Sequence, residues 1–216
     1  PVPEPRRVTV NVLTWDDFSK GITGSDHIVG LYDGEILFPF AIVQQFKPEV
    51  VSVITHELTH ALVAQATSDN APRWFQEGVA QRMELVERQE NTFAVTPPDS
   101  TLPLPLLDAV MENAIDPYAI NHGYRVAQTF IRFLEARYGE TAVNTLIAEF
   151  AKGRNTDDAL TALTSKSLDA LNQEFREWGH TNTAAFASVD RWPYAHLYSP
   201  DVDPRIRAGF KWGKRK

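Results

Sequence analysis

Hydrophobic and polar positions change period once along the chain. From Arg7 to Trp15, Val8, Val10 and Val12 alternate with Thr9, Asn11 and Leu13, a period of two in β-branched residues that predicts a strand. Asp16–Lys20 predicts a short helical turn, and Gly21–Asp26 a loop. His27–Tyr32 predicts a second strand. The hairpin dipeptide Asp33-Gly34 leads into a third, Glu35–Phe38. Pro39 stops that strand, which suits an edge position. The helical period then takes over. A central helix is expected to begin near Pro48, a good first-turn residue. Val50, Val51, Val53, Ile54, Leu58, Leu62 and Val63 make it apolar nearly all round, so it is expected to be buried on most sides. The polar stretch Ser68–Pro72 separates it from a second helix, Arg73 to about Gln89. Asn91–Pro105 contains four prolines and reads as a loop, and Leu106–Asn113 as a short helix. His122–Tyr138 has apolar residues at 126, 130, 131, 133 and 134 and stops at Gly139. Glu140–Lys152 closes on Gly153, and Thr156–Leu163 and Ser167 to about His180 complete the helices.

Strands first and helices later define an α+β chain with segregated elements rather than alternating βαβ units. The expected organisation is one domain over residues 1–182. Its sheet and central helices span about 7–90 and its helical half about 104–182, and an irregular extension follows over 183–216. Pro1–Arg7, with three prolines, lacks the apolar core of a signal peptide and reads as a linker or cut end.

Composition narrows the function. At 43% hydrophobic and 23% charged, the 216 residues can bury a sizeable core. No run of 18 apolar residues exists to span a membrane. The absence of cysteine excludes disulfides, thiolate metal sites and a Cys nucleophile. A net charge of −7 argues against a nucleic-acid binder. Six of the 21 basic residues lie in 205–216, where no acid occurs, so residues 1–204 carry 15 basic against 28 acidic groups. This basic tail reads as a solvated terminus.

Chemistry enters in the central helix, with His56-Glu57-Leu58-Thr59-His60. Residues four apart share a helix face, so His56 and His60 can offer two imidazole nitrogens to one metal ion. Glu57, offset by about 100°, stands beside that pair, where a general base for a metal-activated water belongs. A catalytic zinc needs a third protein ligand and an open position. The spacing H-E-x-x-H-x-x-G-x-x-H is absent, because Val63 and Ala66 occupy the Gly and third His positions. Glu77, 17 residues after His60 and on a helix that a short loop folds back, can reach the metal.

His-Glu-Leu-Thr-His followed by Pro72-Arg73-Trp74-Phe75-Gln76-Glu77-Gly78-Val79-Ala80 resembles the gluzincin (MA clan) zinc metallopeptidases, most closely the bacterial peptidase MA-like domain. Tyr32–Phe40 is similar to that family's edge strand, and Tyr124–Gly139 to its next helix, so the likeness spans about residues 27–182. It implies a zincin-like fold, with a small and mostly antiparallel N-terminal sheet, an active-site helix and a helical C-terminal half. It implies one Zn2+ on His56, His60 and Glu77, with Glu57 as general base and acid, and a peptide or protein as substrate. It also implies a neighbouring helical-repeat domain outside this chain. The sequence does not fix the compartment, with only a weak lean to an extracytoplasmic location.

Tyr124 is the candidate oxyanion donor, with His122 behind it; its plain alternative is a Tyr packed at a helix start. Gln81 and, less so, Asp69 are candidates to orient the zinc histidines. Trp74 and Phe75 read as packing residues, Glu84 and Glu87 as surface charges, and His27, His180 and His196 carry no ligand spacing. Glu35–Phe38 is a candidate for strand addition by an extended peptide. The Gly-Ala-Met-Glu-Asn motif that grips a free amine in aminopeptidases is absent, which favours an endopeptidase. The rival readings are a peptidase-like module that binds peptides without turnover and a structural metal helix pair.

Overall fold

The computed structural model describes residues 7–21, 30–40, 47–87, 107–109, 111 and 117–186. The described elements are β1 (Val10–Leu13), α1 (Trp15–Gly21), β2 (Leu31–Tyr32), β3 (Ile36–Pro39), α2 (Lys47–Thr67), α3 (Arg73–Glu87), α4 (Pro117–Tyr138), α5 (Ala142–Ala151), α6 (Thr156–Thr164) and α7 (Leu168–Phe186). The α+β order holds, with a three-stranded sheet followed by helices. The sheet is mixed rather than mostly antiparallel. β3 pairs parallel with β1, Val10 opposite Ile36 and Val12 opposite Phe38, and antiparallel with β2, Tyr32 opposite Ile36. The strand order β1-β3-β2 places Ile36–Pro39 in the centre, not at the edge. Pro39 stands at the last ladder position, where one missing N–H ends a strand without breaking its middle. Flanked on both sides, β3 offers no edge to an added peptide; among the described strands the edges are β1 and β2.

The sheet rests on α2 through a small core of Ile36, Phe38 and Val53, flanked by Val8, Tyr32 and Ile54. Gly30 lets β2 approach: a Cβ there would stand 2.9 Å from Phe38 and Val53 and 3.1 Å from Glu57. The opposite side of α2 joins the main core. Trp74, Phe75, Phe130, Phe133, Leu146 and Phe150 are fully buried there, many ring pairs meeting edge to face, such as Phe75 on Phe150 at 5.0 Å between centroids. The packing role expected of Trp74 and Phe75 is therefore correct. Burial of α2 is less complete than its composition suggests, since Val51, Leu58 and Leu62 form an exposed stripe.

Three devices fold α3 back on α2. Ser68 and Asp69 both take positive φ, 53° and 61°, and the Asp69 and Asn70 N–H groups donate to the Ala64 and Thr67 carbonyls. This left-handed pair ends the helix within one turn. The N-terminus of α3 is then fixed from a distant segment, because the Trp74 N–H donates to Asp108 Oδ1 at 2.7 Å. A carboxylate there satisfies an orphan donor and faces the positive end of the helix. Finally, Gly78 allows α3 to press on α4, where an added Cβ would stand 2.8 Å from the Ala127 carbonyl oxygen and 2.9 Å from Ile131. Backbone cannot step aside as a side chain can. Gly78→Ala is therefore expected to cost about 1–3 kcal/mol despite its better helix propensity, a loss to be read from thermal or urea melts of the metal-free protein.

Candidate metal centre

His56 and His60 lie one turn apart on α2 and both turn Nε2 toward α3, 3.1 Å from each other. Glu77, on the second turn of α3, brings Oε2 to 3.5 Å from His56 Nε2 and 3.4 Å from His60 Nε2. The three atoms form a nearly equilateral triangle. Three ligands on one face of a tetrahedron, each about 2.0–2.1 Å from a zinc ion, stand about 3.3–3.4 Å apart. Donor types and spacing thus both fit a metal ion, and His56, His60 and Glu77 are the group of the described residues able to hold one. Glu77 is 9% exposed, and its other oxygen is occupied, with Oε1 3.4 Å from Arg73 Nη2. Arg73, one turn earlier, so leaves one oxygen for the histidines.

The titration behaviour divides the carboxylates. Burial would raise the Glu77 carboxyl, but His60, His56 and Arg73 outweigh it and hold it well below its ordinary value. Burial raises Glu57; His56 and His60 oppose, Glu77 adds to the rise, and a hydrogen bond from the Tyr32 backbone N–H restrains it. One carboxylate is thus held in its charged form, while burial shifts its neighbour toward the protonated form.

Tyr124 lies two turns inside α4 rather than at its start, and is 3% exposed. Its hydroxyl accepts a hydrogen bond from Arg73 Nη2 at 3.2 Å. Burial pushes its pKa far up and Glu77 pushes it further, so the phenol keeps its proton.

Other expectations are corrected. Asp69 is exposed in the turn and orients neither histidine. Gln81 is half-buried and makes no hydrogen bond to His56 or His60 among the described residues. Glu84, taken from sequence as a surface charge, is 2% exposed, with Oε2 3.4 Å from His56 Nδ1. A glutamate two turns beyond Glu77 on the same face was the available signal. His180 is exposed. The side chains of His27, Glu87, His122 and His196 lie outside the described residues. No described helix is long and apolar enough to cross a membrane.

A buried His-His-Glu triangle beside a second glutamate, under a small sheet and against a helical core, defines a candidate metal-dependent hydrolase. The chain belongs to the family described as "Peptidase of plants and bacteria", which matches residues 3–175. The likeness drawn from sequence to a peptidase family is therefore correct, and it reaches β1, which the sequence motifs did not include. No curated protein and no solved structure matches the chain.

Burial alone would lower the His56 pKa, but Glu77 and Glu84 on either side of the ring, with Glu57, raise it well above 6.5 in the metal-free protein. A metal must displace that proton. Metal uptake near pH 7 is therefore expected to release a proton, and apparent affinity to rise with pH until His56 is neutral. Titration calorimetry in buffers of different ionisation enthalpy measures the release directly.

Proposed function

We propose that the protein is a zinc-dependent metallopeptidase of the gluzincin type, an endopeptidase acting on peptide or protein substrates. The observation that carries this reading is the His56–His60–Glu77 triangle with Glu57 beside it on α2. Two histidines and a carboxylate also suit non-haem iron. A neighbouring carboxylate with a raised pKa, in a peptidase family, favours hydrolysis.

His56, His60 and Glu77 would hold the ion, which when bound supplies Lewis acidity and a water activated near neutral pH. Glu57 takes a proton from the attacking water and passes it to the leaving amine. Its raised pKa suits both halves of that transfer, and the Tyr32 N–H keeps the carboxylate aligned under β2. Tyr124 donates its hydroxyl proton to the developing oxyanion, and Arg73 holds the phenol by donating to its oxygen. The substrate lies along the β2 side of α2 as an extended strand. Arg73 thus serves two groups at once, the ligand carboxylate and the oxyanion donor.

Glu57→Gln is expected to lower peptide cleavage by about 10²–10⁴-fold while bound zinc stays unchanged. Cleavage at the original rate in this variant would rule Glu57 out as the base. Tyr124→Phe is expected to lower kcat by about 10²-fold with KM little altered. A peptide-library digest followed by mass spectrometry supplies the substrate for both assays, and internal cleavage products identify an endopeptidase.

A further inference from the structure

Metal binding through Nε2 requires a neutral imidazole with its proton on Nδ1. For His56 that proton sits in the interior, where Nδ1 is buried without a well-formed hydrogen bond. A buried donor needs an acceptor. The atom facing it is Oε2 of Glu84, 3.4 Å away, on a side chain only 3% exposed. Glu77 and Glu84 are seven residues apart, two turns along one face of α3. Because α3 runs back along α2, the two carboxylates bracket the imidazole of His56, Glu77 toward Nε2 and Glu84 toward Nδ1. Glu84 stands on the far side of the ring from the converging ligand atoms and is outside the group that could hold the ion.

We propose that Glu84 is a positioning residue of the metal centre, whose carboxylate receives the Nδ1 proton of His56 and so keeps the Nε2 lone pair aimed at His60 and Glu77. The inference rests on the metal reading above. It gives the two histidines different standing: His56 is held from behind by a buried carboxylate, and no such partner faces His60 among the described residues.

The test is the zinc dissociation constant of the full chain, measured by competition with a chromogenic chelator. Glu84→Ala is expected to weaken binding about 10–100-fold. Glu84→Gln keeps an acceptor without the charge and is expected to recover part of that loss. Wild-type affinity in Glu84→Ala, or a Gln variant as weak as the Ala variant, would each overturn the proposal. If Glu84→Ala does not fold, Glu84→Gln alone decides, through the His56 Nδ1–H resonance of the zinc-loaded protein. An upfield shift supports the pairing and an unmoved resonance overturns it. An unsubstituted chain that binds no zinc would overturn the metal reading and this inference together; binding indifferent to Glu84 would overturn the inference alone.

Discussion

The antiparallel packing of α3 on α2 is the constraint on which the rest depends. It delivers one oxygen of Glu77 to within 3.5 Å of two imidazole nitrogens, and a shift of an ångström would dissolve the triangle. The structure secures that distance by parts with no chemistry of their own. Ser68 and Asp69 turn the chain in the left-handed region, Asp108 holds the start of α3, and Gly78 brings α3 onto α4. Each acts on the placement of Glu77 rather than on the reaction.

Charge follows from the same packing. Glu57, Glu77 and Glu84 are all buried, and Arg73 pairs with Glu77. Burying carboxylates at this density is unfavourable without positive charge among them. In the metal-free protein His56 answers by holding a proton to a higher pH. A divalent ion held by His56, His60 and Glu77 would answer the same demand. The fold thus prepares a group that could hold a cation, and the proton on His56 would compete with it.

Local patterns in the sequence carried most of the site. The four-residue spacing of His56 and His60 is a property of one helix, and Glu77 follows because a five-residue link leaves α3 few places to go. Strand order was not legible. Whether Glu35–Phe38 is edge or centre depends on β1, more than twenty residues away, pairing parallel with β3, and Pro39 pointed the wrong way because it sits at a strand end. Glu84 escaped for a related reason. A glutamate on an amphipathic helix reads as solvated until the neighbour of that face is known, and here the neighbour is His56. Gln81, nearer Glu77 in sequence, was the more obvious partner and does not meet either histidine. The depth of Tyr124 within α4 and its bond from Arg73 likewise needed the packing of α3 on α4.

The central claim is that α2 and α3 together hold one zinc ion through His56, His60 and Glu77. Elemental analysis of the purified protein by mass spectrometry tests it most directly. The account predicts about one zinc per chain, lost in both His56→Ala and Glu77→Ala while circular dichroism shows the helices intact. Zinc content unchanged in both variants, or no stoichiometric metal in the parent protein, would contradict it.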